Sequence, residues 1–234
     1  MKHRTGLLGL LAVPAFVVAA VALAATPALA ATTFTVSPGG AWSGTRAADS
    51  TVGIRDAVSN QVTLCSGLAV TGSFKPGKGL SGTNIGALTS IAFTGCQVHG
   101  VAVTVTVHTS AANPAPINLT QEFPVGSTVF TGQATNISLT LDDANGCHAV
   151  VGAQILSGGG PGFTGIAYRS SDHRLSFAAG GKGLFVQSAT PQCNSGVYHG
   201  LAVKQFDRIS LGGFGNSIAD SSAIISPAQR ISSP

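Results

Sequence analysis

Apolar residues alternate with small or polar residues along several short stretches of the chain. In Val101–Val107 the valines occupy every second position, and residues 137–141 repeat this pattern with Ile and Leu. A period of two places the apolar side chains on one face of a β-strand. Asn145-Gly146 is a tight-turn signal, so residues 147–155 are predicted to return as the second strand of a hairpin.

The same reasoning predicts a second hairpin and a first strand. Residues 163–168 and 175–177 flank a turn at residues 170–173, which contains Ser, Asp and His. Near the start, residues 31–45 are interpreted as a first strand followed by a Gly-rich turn at Gly39-Gly40. Turn residues between two apolar runs are typical of antiparallel strands.

No stretch of ten or more residues after residue 30 has a persuasive helical period. Residues 47–58 come closest, but Gly53 and the β-branched Thr51 and Val52 weaken a helix there. Predicted strands recur about every 8 to 15 residues between Gly, Pro, Ser and Thr turns. This spacing predicts an all-β fold, either an antiparallel β-sandwich or a barrel.

The first thirty residues have the three parts of a secretory signal peptide. A basic start at residues 2–4 precedes an apolar run at residues 7–25, and Ala28-Leu29-Ala30 forms a small-residue cleavage site. We expect residues 1–30 to be removed, leaving residues 31–234 as a single secreted β domain without an integral membrane span. The alternative is a retained anchor, because an apolar run of about twenty residues can span a bilayer. We therefore expect the protein to be secreted and to lie outside the cell, either free or at the cell surface.

Charged residues are scarce in this chain. Asp, Glu, Lys and Arg supply 20 of the 234 residues, whereas Gly, Ser and Thr supply 77. Removing Lys2 and Arg4 lowers the formal net charge from +4 to about +2, and Lys75 with Lys78 is the nearest approach to a basic cluster. This composition argues against a charged coiled coil, a disordered acidic tail and a nucleic-acid partner. The apolar share of 44% is enough for a folded core.

Four cysteines, Cys65, Cys96, Cys147 and Cys193, follow the leader. An even number in an exported chain indicates disulfides. Three pairings are possible, and we favour Cys65 with Cys96 and Cys147 with Cys193, because each bond then closes a loop within one half of the chain. A zinc site would need closely spaced ligand pairs such as C-x2-C, which the sequence lacks, so no metal is expected.

One short motif occurs twice. Residues 77–80 and residues 181–184 both read Gly-Lys-Gly-Leu, offset by 104 residues, and each copy lies between two cysteines. Duplication of a disulfide-closed unit would explain the repeat and would divide the chain at about residues 31–130 and 131–234. A single, irregular β domain is the other interpretation, because the cysteine offsets of 82 and 97 residues do not match.

Residues for catalysis are sparse. Glu122 is the single glutamate after residue 30, and glycoside hydrolysis needs a second carboxylate across the sugar. A hydrolase site would have to combine Glu122 with Asp142, Asp143 and a histidine. Ser171-Asp172-His173 has the residue types of a triad, but neighbours on one turn point in different directions, so Asp172 is expected to cap the turn through backbone amides. No catalytic residue is assigned.

Binding motifs are equally weak. Residues 142–146 resemble part of a calcium loop, but Leu141 and Gly152 stand where an EF-hand loop needs Asp and Glu, and a hairpin turn explains the same residues. Trp42 is the one candidate for stacking against a sugar, and we expect it to be buried instead. No cofactor is expected. Surface positions are expected for the histidines near predicted strands, which are His99, His108, His148 and His199.

A family resemblance is carried by Leu64-Cys65, by residues 79–96, by the second cysteine pair and by residues 226–234. The chain resembles a family of small, Sec-exported, uncharacterised secreted proteins of actinobacteria with two disulfides. The resemblance covers most of residues 31–234. It implies a secreted β domain with two disulfides and offers no activity or catalytic residue to transfer.

These observations favour a non-enzymatic exported protein with a surface-associated structural or binding role. Its expected partner is a cell-envelope component or another protein. Two alternatives stay open: a secreted hydrolase that uses Glu122 with an Asp or His partner, and a membrane-active β protein. The strand Val101–Val107 supports the second alternative, although it is shorter than the roughly nine residues that a membrane-spanning strand needs.

Overall fold

The computed structural model describes residues 32–124, 126–154, 159–194, 200–212 and 221–233. The predicted signal peptide, residues 1–30, and its cleavage site lie outside the described residues. Within the described part of the chain there is a 3-10 turn at Pro191–Asn194 and no α-helix. The strands, β1 to β16 in chain order, are Thr33–Ser37, Gly40–Arg46, Val52–Asp56, Val62–Phe74, Gly77–Ser81, Gly86–Val98, Val101–Val107, Ala115–Glu122, Val129–Ile137, Leu139–Asp143, His148–Gly152, Gly162–Arg169, Arg174–Ala189, Arg208–Ser210, Ser222–Ser226 and Arg230–Ser232.

The predicted strand β7 and both hairpins are confirmed. Two other expectations need correction, because Gly40 begins a second strand and residues 137–141 are interrupted at Ser138, between β9 and β10. Residue 155, the predicted end of the return strand, lies outside the described residues. β7 has the predicted bounds, with Val103 and Val105 buried and the threonines between them exposed. The hairpin at Asn145-Gly146 joins β10 to β11, and the second predicted hairpin joins β12 to β13. Every strand pairing is antiparallel, so the all-β antiparallel prediction holds.

Strand pairing closes the large sheet into two rings of eight strands each. The first ring runs β4-β6-β8-β9-β12-β13-β15-β2 and returns to β4. The second ring runs β4-β6-β7-β10-β11-β13-β14-β3 and returns to β4. Because closure removes free edges, most backbone groups of these strands find a partner within the sheet.

The three shared strands, β4, β6 and β13, are the longest, and each changes partners along its length. In β4, residues 62–65 pair with β3 of the second ring, whereas residues 69–74 pair with β2 of the first ring. In β6, Gly86–Leu88 pair with β8, and Ala92–Val98 pair with β7. A strand of 13 to 16 residues can therefore belong to both rings.

A small second sheet of order β16-β1-β5 packs against the first ring. Phe34 of β1 contacts Phe130 of β9 edge-on, with the ring centroids 6.0 Å apart. The Gly82 carbonyl, directly after β5, accepts a hydrogen bond from the Leu119 amide at 2.9 Å. These contacts bring the C-terminal strand β16 to one end of the first ring.

The core is one continuous cluster of buried apolar residues from both rings. In the first ring, Trp42, Phe74 and Tyr168 pack one against the next, with centroid distances of 5.6 Å and tilted ring planes. Trp42 is 3% exposed, which confirms that it packs in the core. The indole face is therefore not available to stack on a sugar.

Both favoured disulfides are present. Cys65 and Cys96 are directly opposite each other on β4 and β6. Cys147, at the start of the return strand of the β10–β11 hairpin, is bonded to Cys193 in the 3-10 turn that follows β13. The described residues contain no free cysteine. Both bonds thus lie in the second ring or directly beside it.

The two Gly-Lys-Gly-Leu copies lie in unlike elements. Residues 77–80 form most of β5, an edge strand of the small sheet, so Lys78 lies in a strand. Its side chain is exposed, as is that of Lys75. Residues 181–184 lie inside β13, in the middle of the large sheet. The motif therefore marks no equivalent position in two halves.

Candidate functional site

A cleft of about 400 Å³ opens at the end of the first ring, beside the C-terminal strand. Its walls come from the end of β8, the β8–β9 turn, the β12–β13 turn and β16 with the residue after it. Its lining combines one carboxylate, one imidazole, one guanidinium and several hydroxyl groups. The lining residues are Glu122, Ser127, Thr128, Phe130, Ser170, Ser171, His173, Arg230, Ile231, Ser232 and Ser233.

Two backbone hydrogen bonds connect described residues of the β8–β9 turn, which follows Glu122. β8 ends at Glu122, and Pro124 soon follows, which has no amide to continue a strand. The Phe123 amide donates to the Val129 carbonyl at 2.8 Å, and the Ser127 amide donates to the Pro124 carbonyl at 3.0 Å. Both bonds hold the turn against the cleft.

Hydroxyl groups tie β16 to the first ring. Ser170 Oγ donates to the Ile231 carbonyl at 2.8 Å and accepts from the Ile231 amide at 3.0 Å. Tyr168 Oη donates to the Gln229 carbonyl. Burial raises the pKa of Tyr168 above its ordinary value, so this hydroxyl keeps its proton and remains a donor. These hydrogen bonds hold β16 and the residue before it against β12 and the turn that follows β12.

Three ionisable side chains reach the cleft: Glu122, His173 and Arg230. Ser233 Oγ donates to Glu122 Oε2. Nδ1 of His173 lies 3.2 Å from the Gln229 carbonyl oxygen. The side chain of Arg230 is exposed and makes no hydrogen bond or ion pair with the rest of the described chain, although its backbone lies in the β1–β16 pairing. No local pattern indicates that these three residues meet, because Glu122 and Arg230 are 108 positions apart in the chain.

The adjacent residues Ser171, Asp172 and His173 do not form a triad. Asp172 accepts from Arg169 Nε at 2.9 Å and from Arg174 Nε at 3.2 Å, and it does not orient the imidazole. The expected cap on backbone amides is also not what this carboxylate makes, because the two guanidinium groups supply stronger, charged donors. Asp172 therefore belongs to an ion-pair network behind the turn.

This network continues from Arg174 to Asp49, whose two carboxylate oxygens lie 2.8 and 2.9 Å from Arg174 Nη2. The guanidinium holds the pKa of Asp49 below its usual range. Arg174 is itself buried, so it fixes the β12–β13 hairpin against the segment before β3. The network positions the turn that carries His173.

The acidic residues of the β10–β11 hairpin serve the hairpin and do not reach the cleft. Asp142 Oδ1 lies 2.6 Å from His148 Nδ1, across the paired strands. Asp143 Oδ1 accepts from the Asn145 and Cys147 amides at 2.8 and 2.9 Å, and its Oδ2 accepts from the Leu201 amide at 2.9 Å. Neither Asp142 nor Asp143, which a hydrolase site would have to combine with Glu122, is among the residues that line the cleft.

Asp143 also explains why the calcium-loop resemblance is a hairpin turn. Three backbone amides occupy the carboxylate, and Gly200 packs against it so closely that a Cβ there would lie 2.2 Å from Asp143 Oδ2. Gly200 has a φ of +121°, a conformation open to glycine. The described residues contain no group of three or more His, Cys, Asp or Glu side chains that could hold a metal ion.

The remaining histidines lie at the surface or outside the described residues. His99, in the β6–β7 turn, and His108, directly after β7, are exposed, and so is His148. This agrees with the expected surface positions. His199 and Tyr198 lie outside the described residues.

Folding creates one acid pair that the sequence did not reveal. Asp56 of β3 and Asp207 before β14 are both buried and hydrogen-bonded to each other, although 151 residues separate them. Burial, followed by the hydrogen bond and the charge of Asp56, raises the pKa of Asp207. The Lys204 amide and Ser59 Oγ donate to the pair. Neither Asp56 nor Asp207 lines the cleft beside β16, and we assign the pair a structural role.

A second cleft of about 380 Å³ lies at the opposite ends of β9 and β12, beside the last residues of β9 and the first residues of β12. Phe163 and Phe185 supply aromatic surface, and Thr135, Asn136 and Gln154 supply polar groups. Asn136 Nδ2 already donates to Asn113 Oδ1 at 2.8 Å and to the Pro114 carbonyl at 3.0 Å. The described residues that line this second cleft include no charged side chain, whereas those of the first cleft include Glu122 and Arg230.

Comparisons of the chain with models of protein families, with curated proteins and with solved structures gave no match. The chemistry of the first cleft therefore has to be judged from its own groups. It offers hydrogen-bond acceptors at Glu122 and His173, a cation at Arg230 and hydroxyl donors between them. Such a set can bind and orient a polar molecule.

Proposed function

We propose that this chain is an exported, surface-associated protein that acts by binding and not by catalysis, with the cleft at the end of the first ring as its binding site. Two disulfides support export, because such bonds persist in oxidising compartments. The signal-peptide pattern and the resemblance to secreted actinobacterial proteins point the same way. The partner is a component of the cell envelope.

One observation carries the non-enzymatic part of the proposal. Acid-base and nucleophilic catalysis need a reacting group whose partner orients it, and in a triad the histidine is held by a carboxylate. In the cleft the carboxylate of Glu122 is bonded to Ser233, and the imidazole of His173 is bonded to a backbone carbonyl. Asp172, the nearest carboxylate in sequence to His173, is engaged by arginines. This arrangement of Glu122 and His173 supports binding of a ligand and not catalysis.

The experiment is retention on isolated envelope material. The protein, purified after export, is mixed with washed envelope fractions, and the bound share is measured for the wild type, Glu122→Gln and Arg230→Gln. Asp142→Asn, which changes a half-exposed carboxylate of the hairpin, is the matched control. We expect retention of the wild type and the control and at least a tenfold weaker retention of the cleft variants. A protein that washes free of all fractions would refute the proposal.

A hydrolase is the second candidate, and the presence of Glu122 and His173 in one cleft favours it. Glutamate can serve as a general acid or base when a second group completes the site. Polysaccharide, ester and peptide substrates are incubated with the wild type and with Glu122→Gln. Turnover by the wild type that the variant loses would replace binding with catalysis as the function.

The membrane-active alternative rested on β7. The exposed positions of this strand are Ala102, Thr104 and Thr106, so its outer face is small and polar. In the described part of the chain, no helix has the length and apolarity to cross a bilayer. Release of a dye from liposomes by the purified protein is the direct test of this alternative.

A further inference from the structure

The polar groups of the cleft fall into two sets of opposite character. Glu122 and His173 offer acceptor atoms, whereas Arg230 offers donors and a positive charge. The hydroxyl groups of Ser171 and Ser232 add adaptable donors on the side of β16 and the β12–β13 turn. A ligand that satisfies both sets must itself carry donor and acceptor groups.

The hydrogen bond of His173 defines which nitrogen of its imidazole ring carries the proton. Nδ1 lies 3.2 Å from the Gln229 carbonyl oxygen. A carbonyl oxygen can only accept, so Nδ1 carries the proton. In the neutral imidazole, Nε2 then has a lone pair and no proton. It can accept a hydrogen bond from a ligand in the cleft.

Glu122 retains capacity to bind a cation. One oxygen, Oε2, accepts from Ser233 Oγ. A carboxylate has about four lone-pair positions, so one hydroxyl leaves most of its capacity unused. Glu122 is the single acidic residue lining the cleft. An ammonium group placed between Glu122 and Nε2 of His173 would meet two acceptors and one negative charge.

Arg230 supplies the opposite pole. Its backbone lies on β16, which Ser170 ties down at Ile231 on both the amide and the carbonyl. Its guanidinium makes no hydrogen bond or ion pair with other described residues. A guanidinium binds a carboxylate through two parallel hydrogen bonds. A carboxylate of the ligand would be held here.

We infer that the cleft binds a zwitterionic, amino-acid-like ligand, with its ammonium group at Glu122 and His173 and its carboxylate at Arg230. The inference rests on the proposed function, since it names the ligand class of the same binding site. A purely anionic ligand would meet Glu122 and a purely cationic one would meet Arg230, and like charges in one site disfavour binding. A cleft of about 400 Å³ suits one amino acid or the end of a short peptide.

The test is a calorimetric titration of the protein, purified after export, with four probes. Alanine carries both charges, N-acetylalanine lacks the ammonium group, alaninamide lacks the carboxylate, and alanyl-alanine separates the two groups. We expect alanine to bind at least tenfold more tightly than N-acetylalanine or alaninamide. Alanyl-alanine distinguishes the sources: tighter binding than alanine assigns the site to a peptide, and weaker binding assigns it to a free amino acid.

Variants assign each charge to its residue. Glu122→Gln can still accept from Ser233, so it removes the charge and keeps the contact. This variant should bind alanine at least tenfold more weakly than the wild type does. The difference in affinity between alanine and N-acetylalanine should also become smaller. Arg230→Gln should reduce the difference in affinity between alanine and alaninamide. Asp142→Asn should leave both of these affinity differences unchanged. Equal affinities for alanine and both derivatives, or no binding of any probe, would overturn the inference.

The two proposals fail separately. If the protein is retained on envelope fractions through the cleft residues but binds none of the four probes, the ligand class is wrong and the binding function stands. If neither retention nor probe binding is found, both proposals are refuted. Probe binding without retention would keep the zwitterion site and remove the envelope as its source.

Discussion

The β10–β11 hairpin and the cleft at the end of the first ring both bring a carboxylate near a histidine, and they use these groups in opposite ways. In the hairpin, Asp143 is saturated by three backbone amides, and Asp142 faces His148 across the strands. In the cleft, Glu122 accepts from one hydroxyl. The difference teaches that the pattern Asp-Asp-x-Asn-Gly indicates a hairpin turn, whereas the isolated Glu122 belongs to the proposed binding site.

The largest effect on this comparison should come from removing the hairpin disulfide. Replacing Cys147 and Cys193 with Ser releases a loop with a sequence separation of 46 residues, which should lower the free energy of unfolding by about 4 kcal/mol. Urea unfolding gives that value, and hydrogen exchange of the amides in His148–Gly152 reports the local effect.

The matched control replaces Cys65 and Cys96, which lie opposite each other on paired strands. It should cost a similar amount, about 3 to 4 kcal/mol, without selectively accelerating exchange in β11. Equal exchange rates of the β11 amides in the two double variants would show that the second bond does not hold the hairpin.

Asp143→Ala should have the next largest effect. The Asn145, Cys147 and Leu201 amides would all lose their acceptor, and we expect a loss of about 2 to 3 kcal/mol in the free energy of unfolding. Asp142→Ala is the control, because its half-exposed pair with His148 should contribute less than about 1 kcal/mol. Similar losses in both variants would contradict a structural role specific to Asp143.

Asp207→Asn extends the comparison to the buried acid pair and should stabilise the protein. A raised pKa in the folded state means that this group favours folding at acid pH and that the benefit is lost as pH rises through the folded pKa. Asn cannot ionise and can still accept from the Lys204 amide. At neutral pH, where ionising Asp207 costs more in the folded chain than in the unfolded one, we expect the variant to be more stable than the wild type.

The pH profile provides the control for that variant. Well below the ordinary pKa of an Asp carboxyl, about 3.9, Asp207 is protonated in the folded and the unfolded chain, and wild type and variant should have the same unfolding free energy. Thermal unfolding across this range measures the difference. A gain that does not change with pH would mean that ionisation of Asp207 is not its source.

Glu122→Gln should have the smallest effect on stability and a large one on binding. The side chain is partly exposed, and Gln keeps an acceptor for Ser233 Oγ. We expect a change of less than about 0.5 kcal/mol in unfolding, together with the tenfold loss of envelope retention. Loss of stability comparable to that of Asp143→Ala would place Glu122 among the structural residues.

Local signals in the sequence predicted the local structure. The alternation in Val101–Val107 placed β7 to the residue, and Asn145-Gly146 placed its hairpin, because side-chain period and turn chemistry act between neighbours. The 16-residue β13 was predicted at residues 175–177 alone. Its middle is rich in Gly and Ala, which gives no alternation to detect.

Long-range pairing set what the sequence could not. The cleft forms because β16 pairs with β1 and is tied to Ser170, 61 residues away, which brings Arg230 towards His173 and Ser233 to Glu122. No local pattern encodes such contacts. The acid pair of Asp56 and Asp207 arises in the same way, from the pairing of β3 with β14.

Hydrogen exchange with and without bound envelope material tests most directly whether the cleft is the functional site. The account predicts slower exchange at the amides of the lining residues Ser127, Ser170 and Ile231, each of which already donates a hydrogen bond. It predicts no change at the hairpin amides of Cys147 and Leu201. Protection of the hairpin with an unchanged cleft would contradict it.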